Sequence, residues 1–296
     1  MESGTANLLH MLEDRVRSLC EDEKWVEARQ AADAAIEKAR ESLDGTSDNR
    51  HELAVSLEVK GDLLRHMGEY REARQSYLEA MEQLASALNS NEDLGRLAAS
   101  VAVLYDEEEN SPEAKRYYER SIDFFGRMDP PSHLDIADLS NNLAFLYEEE
   151  ENFDKAETLF LNALKICHDE LGPKDEETAV ICNNVGALYQ KAGFNDRARE
   201  MHVMALEARE ETLGKEHLET GQSHSNLALA LAASDEGAAA RRHFEKGLAI
   251  YEHHLAEAPT DYATVVANFT QFLRDLGDDK AVAGLEKRAV RALKKV

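Results

Sequence analysis

Asparagine side chains recur at one fixed spacing along this chain. Four of them follow one another in steps of 42 residues, and a further asparagine precedes each of the first two: Asn142, Asn184, Asn226 and Asn268, with Asn141 and Asn183. An amide both donates and accepts hydrogen bonds, so a row of amides can hold the backbone of an extended segment whatever its side chains are. Asparagine costs a helix about 0.5 kcal/mol per site relative to alanine, so its repetition suggests a use. We predict that all six bind a partner; the alternative is that they bond to neighbouring helices and fix the packing.

Two acidic runs are also 42 residues apart, Asp106 to Glu109 and Glu148 to Glu151. Each follows a segment with helical spacing of apolar residues, and carboxylates at the C-terminal end of a helix are disfavoured by roughly 0.3–1 kcal/mol each. Local helix stability therefore does not explain these runs. We predict that Asp106, Glu107, Glu148 and Glu149 contact a partner segment that carries Lys or Arg. The alternative is a solvated acidic turn, which is the usual role of a charge run.

The overall charge limits the classes of partner. With 59 acidic and 34 basic residues among 296, the chain carries a net charge of −25, and we therefore expect no nucleic-acid binding, which requires cations to displace phosphate counterions. The last ten residues nevertheless contain five basic side chains: Lys287, Arg288, Arg291, Lys294 and Lys295. Cations near a helix C-terminus complement its dipole, which would explain them. Contact with a membrane or an acidic protein surface is the alternative.

The sequence carries no motif for catalysis, phosphate binding or metal ligation, so we expect a protein that is not an enzyme and has no cofactor and no metal. Its three cysteines contain no C-x-x-C pair, which is typical of a reduced compartment. The N-terminus lacks the apolar block of an export signal, and the longest apolar run, 227–233, is far shorter than the roughly 20 residues of a membrane span. These features predict a cytoplasmic location.

The spacing of 42 residues extends to the apolar positions and so defines a structural repeat. Three positions recur in order as Ala156, Phe160 and Ala163, then Ala198, His202 and Ala205, then Ala240, Phe244 and Gly247. Within each unit, apolar residues lie at helical spacing on two segments that a short polar turn separates. We predict one all-α domain over 1–296 with seven helical hairpins, at approximately 8–45, 50–91, 95–132, 134–173, 176–215, 218–258 and 260–292. Because one hairpin cannot bury its apolar face alone, the hairpins must stack into a solenoid.

The segment from Gly61 through Gly68, Tyr70, Ala73 and Tyr77 to Ala80 resembles the tetratricopeptide repeat. The Asn-Asn-Leu-Ala-x-Leu-Tyr opening at 141–147 and the Leu-Gly ending at 171–172 and 213–214 are more specifically similar to the kinesin-light-chain subgroup. The resemblance implies a right-handed superhelical solenoid whose first helices line a concave groove, and a non-enzymatic scaffold that binds an extended segment or a filament surface there. The chain is similar in size to a bacterial, free-standing kinesin light chain that accompanies bacterial tubulins, so bacterial tubulin-like filaments are the partner that the resemblance implies. The alternative is a peptide-sensing regulatory receptor or adaptor.

Overall fold

The computed structural model describes residues 2–43, 46–85 and 90–294, and within these residues it contains helices and no strands. This confirms the all-α prediction. The described residues form fourteen helices: α1 (Glu2–Glu21), α2 (Trp25–Glu41), α3 (Ser47–His66), α4 (Tyr70–Leu84), α5 (Asn91–Glu107), α6 (Ser111–Gly126), α7 (His133–Glu149), α8 (Phe153–Glu170), α9 (Glu176–Lys191), α10 (Asn195–Thr212), α11 (Leu218–Ala233), α12 (Gly237–His253), α13 (Pro259–Asp275) and α14 (Asp279–Leu293). No helix in this part of the chain is both long and apolar enough to span a membrane.

A single turn geometry connects the two helices of every pair. Each turn contains one residue with positive φ, and the N–H of the next residue donates to the carbonyl five residues before it, as from Glu69 to Leu64 (2.9 Å) and from Phe194 to Tyr189 (2.8 Å). This is the hydrogen bond with which a left-handed residue ends a helix. The positive-φ residues are Glu23, Gly68, Glu109, Glu151, Gly193, Asp235 and Gly277. The recurrence of one turn in all seven pairs explains why the sequence repeats at nearly constant spacing.

The chain divides into two compact units, Met1–Leu146 and Tyr147–Val296. In the first unit, close approach of paired helices depends on glycine: a Cβ on Gly61 of α3 would lie 2.5 Å from the ring of Tyr77 on α4, which is fully buried. In the second unit, Phe244 stacks on Phe269 of α13 with ring centroids 5.0 Å apart. The repeated alanines Ala156, Ala198 and Ala240 are fully buried, as the repeat predicts.

The seven repeat ranges remain a prediction. The boundary predicted at residue 45 and the part of the second repeat at 86–89 lie outside the described residues, as does Lys295 of the basic C-terminal group.

Candidate functional site

Three of the predicted asparagines lie on the first helices of successive pairs in the second unit. Asn184 is on α9, Asn226 on α11 and Asn268 on α13, and α11 contacts both of the other helices. We call these three residues the amide ladder. All three are half-buried. Among the described residues, the side chains of Asn226 and Asn268 form no hydrogen bond, so both amides are available to a ligand.

The side chains nearest to the amide ladder along each helix are uncharged. Residues four before and three after each ladder asparagine share its helix face. Most of them are exposed, and they are small, apolar or amide side chains: Val180, Ala187, Gln222, Leu229, Thr264 and Gln271. On such a face the amides can bind the backbone of a peptide. The apolar positions between the amides can contact the side chains of the peptide.

Asn183, next to the ladder, has a different role. It is buried, its Nδ2 donates to Ser223 Oγ (3.1 Å), and its Oδ1 lies 3.0 Å from His202 Nδ1. Burial lowers the pKa of His202 to about 4, so the imidazole is neutral and Nδ1 donates to the Asn183 oxygen. Both ends of this amide are thus used to hold α9 against α10 and α11, and the side chain is not presented to a partner.

A buried arginine extends this polar network. Arg209 of α10 is 2% exposed, and its Nε donates to Glu176 Oε1 of α9 (3.0 Å). Its Nη1 donates to Gln222 Oε1 (3.0 Å) and Ser223 Oγ (3.1 Å), and Nη2 lies 2.9 Å from Glu219 Oε2. A guanidinium suits this role because its donors form a planar fork in fixed directions. Arg209 therefore ties together the two helices that carry Asn184 and Asn226.

The sequence analysis did not identify this network, although the repeat contained a signal for it. His202 occupies the repeat position of Phe160 and Phe244, and Arg209 occupies that of Cys167 and Tyr251. Polar residues at positions that are apolar or aromatic in neighbouring repeats would have pointed to buried hydrogen bonding.

Two further histidines of the second unit are close together. His224 Nδ1 and His243 Nδ1 lie 3.0 Å apart, and burial lowers the pKa of His224 to about 3 and also lowers that of His243. Two neutral rings can share one hydrogen bond between these nitrogens. No group of three or more His, Cys, Asp or Glu residues in the described part of the chain is arranged to hold a metal ion.

The predicted acidic residues have unequal surroundings. In the first unit, Asp106 and Glu107 are exposed at the end of α5, and Glu107 lines a cavity of about 200 Å³ with Arg65 and His66. In the second unit Glu149 is exposed, but Glu148 is 6% exposed and pairs with Lys191 of α9. The Glu148 carboxylate therefore pairs within the unit and is not exposed to a partner.

The two remaining asparagines lie in the first unit, on α7. Asn142 is exposed and Asn141 is half-buried, and Asn141 Nδ2 donates to Asn142 Oδ1 over 3.5 Å. Asn142 can therefore reach a ligand, whereas Asn141 is partly covered.

Comparison with known proteins gives a family match and several similar structures. The family model described as tetratricopeptide repeat matches residues 52–126, 135–193 and 177–253. No curated protein matches the chain. Among solved structures, BtubC (BKLC) from P. vanneervenii is 23% identical over 76% of this chain and 90% of its own, with a TM-score of 0.66.

Two other solved structures are similar over most of the chain. A putative kinesin light chain from Podosopora anserina with nearly identical TPR-like repeats is 19% identical over 72% of this chain and 99% of its own, with a TM-score of 0.56. The apo form of RapI is 16% identical over 82% of this chain and 98% of its own, with a TM-score of 0.60. At these identities the similarity shows the fold alone.

Proposed function

The chain belongs to the tetratricopeptide repeat family, and on this premise we propose that its amide ladder captures an extended segment of a partner protein. Proteins of this family are generally non-enzymatic scaffolds for protein–protein interaction. The observation that carries the proposal is that Asn226 and Asn268 are half-buried, form no hydrogen bond among the described residues, and lie on neighbouring first helices.

An extended backbone could run across the ladder, because α11 contacts both α9 and α13. Packed helices lie about 8–10 Å apart. An extended chain advances about 3.3 Å per residue, so neighbouring amides would meet roughly every third peptide unit. Each amide can donate to a carbonyl and accept from an N–H, which gives affinity without a fixed partner sequence. Specificity then depends on the apolar positions such as Val180 and Leu229.

The test is the double variant Asn226→Ala/Asn268→Ala, assayed with a labelled peptide that was selected on the wild-type protein from a random display library. We expect the dissociation constant to rise about tenfold or more, because each lost hydrogen bond contributes about 1 kcal/mol. The thermal midpoint should not fall, since alanine is the better helix former.

Asn162→Ala is the matched control, because Asn162 is an exposed asparagine on a second helix, α8. It should bind the peptide as the wild type does. If the double variant bound the peptide normally but unfolded more readily, the ladder would serve packing and the proposal would be wrong.

We further propose that the partner is a bacterial tubulin-like filament. The kinesin-light-chain pattern of the sequence supports this, as does the likeness in fold to BtubC. A filament offers many copies of one segment, so a repeat scaffold could bind along it through the same ladder. The alternative, a receptor for a free regulatory peptide, would use the same amides, because a free peptide offers the same backbone groups.

A further inference from the structure

A cavity of the second unit is formed by residues other than those of the amide ladder. It has a volume of about 720 Å³ and is formed by α12, the turn that follows it and α14. Both helices are second helices of their pairs, whereas the ladder lies on first helices. The volume is in the range of sites that hold small ligands or a few side chains.

One wall of this cavity carries positive charge that the chain does not neutralise. Arg288 is paired, since its Nε and Nη2 donate to the two carboxylate oxygens of Glu252 at 2.7 and 2.5 Å. Lys287 and Arg291 are exposed, and among the described residues neither has a carboxylate within ion-pair distance. Two unpaired cations therefore line one wall of the cavity, which is complementary in charge to a carboxylate.

The helix dipole accounts for only part of this arrangement. Its influence extends over the last turn of a helix. Arg291 lies in the last turn of α14, but Lys287 lies six residues before the last helical residue, Leu293. The helix dipole therefore does not explain the position of Lys287.

Gly284 is a second, independent observation. It lies inside α14, where glycine is unfavourable, and its φ is not positive. A Cβ added there would meet nothing within 4 Å, so no neighbouring side chain requires a glycine. The missing side chain keeps the cavity open, and Ala249, Ala256 and Ala292 add little bulk to the other walls.

We propose that this cavity binds a short acidic segment of a partner protein. Its carboxylates would pair with Lys287 and Arg291, and an apolar side chain between them would lie against the alanines. A peptide fits better than a membrane or another extended anionic surface, because the net charge of −25 repels a large anion. A short segment experiences mainly the local field, since charges beyond about 8 Å are screened at physiological ionic strength.

The experiment uses the full chain and a fluorescein-labelled peptide in which Glu and Leu alternate, with binding followed by anisotropy. We expect the wild type to bind this peptide, and not a copy with Gln in place of Glu, with an affinity that falls as salt rises. Lys287→Glu/Arg291→Glu should weaken binding about tenfold or more. Lys280→Glu is the matched control, because Lys280 is exposed on α14 but does not line the cavity, and it should bind nearly as the wild type does.

The variant Gly284→Leu distinguishes binding inside the cavity from binding to the charged surface alone. The leucine side chain fills the cavity and leaves its charge unchanged. We expect the variant to have lost binding and to have a thermal midpoint no lower than that of the wild type. Unchanged binding by Gly284→Leu, or an equal loss in Lys280→Glu, would overturn the proposal. So would binding only to vesicles of phosphatidylcholine with phosphatidylserine. Asn226→Ala/Asn268→Ala should still bind the acidic peptide, so failure here and failure of the ladder can be distinguished.

Discussion

At the scale of single residues, His202 shows how one substitution changes the interior of a repeat. Where neighbouring repeats have Phe160 and Phe244, this repeat has an imidazole packed against Gly186, whose added Cβ would lie 2.5 Å from the ring. The imidazole donates to Asn183, and its Nε2 has no partner within the described residues. An aromatic residue would fill the same space, so the polar ring contributes the link to α9 rather than volume.

The buried histidines make the stability of the second unit depend on pH. The pKa of His202 is about 4 in the folded chain and about 6.5 when unfolded, so between these values the unfolded chain binds a proton that the folded chain does not. The contribution of neutral His202 to the free energy of unfolding is therefore fully present above about pH 6.5 and is lost as the pH falls toward 4. For His202 alone we expect a loss of about 2 kcal/mol between pH 7 and pH 5, and His224 and His243 act in the same direction.

Urea unfolding at the two pH values measures this loss. His202→Gln, which does not titrate, should reduce the difference between them. A free energy of unfolding that is the same at pH 5 and pH 7 would contradict the assignment of neutral, buried rings.

At the scale of elements, the hairpin turn is the most regular feature, and the acidic runs end on it. Glu109 and Glu151 occupy its left-handed position with φ of 55° and 58°, where Gly68, Gly193 and Gly277 stand in other pairs. A side chain in this conformation costs about 1 kcal/mol or more. Glu23 and Asp235 occupy the same position in two further turns, so four of the seven described turns carry this cost.

Glu151→Gly should raise the free energy of unfolding by about 0.5–1 kcal/mol, because the relief of strain exceeds the added entropy of the unfolded chain. Gly193→Ala should have the opposite effect, since its φ is 82° and an added Cβ meets nothing within 4 Å, so the strain is confined to the backbone. Urea unfolding of both variants provides the comparison, and a Glu151→Gly variant less stable than wild type would show that the carboxylate is needed for folding.

Sequence and structure agree best for the elements. The spacing of 42 residues predicted paired helices because buried alanines such as Ala156 and Ala198 must recur wherever two helices approach closely. The spacing did not predict whether an individual polar side chain is buried or exposed. Asn183 and Asn184 are adjacent and alike in sequence, yet one is buried in a network and the other lies on the ladder face, because a helix turns by about 100° between them. Likewise, the two acidic runs look equivalent, but the member that pairs with a base differs: Glu108 pairs with Arg74 in the first run, and Glu148 pairs with Lys191 in the second.

At the scale of the whole molecule, the proposed contact of the exposed acids Glu107 and Glu149 with Lys or Arg of a filament makes the expected binding depend on salt. We expect the chain to pellet with polymerised bacterial tubulin at low ionic strength, and pelleting to decrease as salt is added. Glu107→Gln/Glu149→Gln should weaken pelleting and flatten its salt dependence. Asn226→Ala/Asn268→Ala should reduce it at every salt concentration. Absence of pelleting at low ionic strength would exclude the filament as partner.

The Arg209 network also limits how this array could have grown. Repeat proteins lengthen by copying hairpins, and a copied hairpin is tolerated when its neighbours present the same apolar surface. The α9–α10 hairpin instead requires Ser223, Gln222 and Glu219 on the helix that follows it. If another hairpin were inserted after Thr212, a guanidinium would be stranded without partners in the interior, at a penalty of several kcal/mol. The order of these two hairpins is therefore fixed unless the inserted hairpin brings the same three partners.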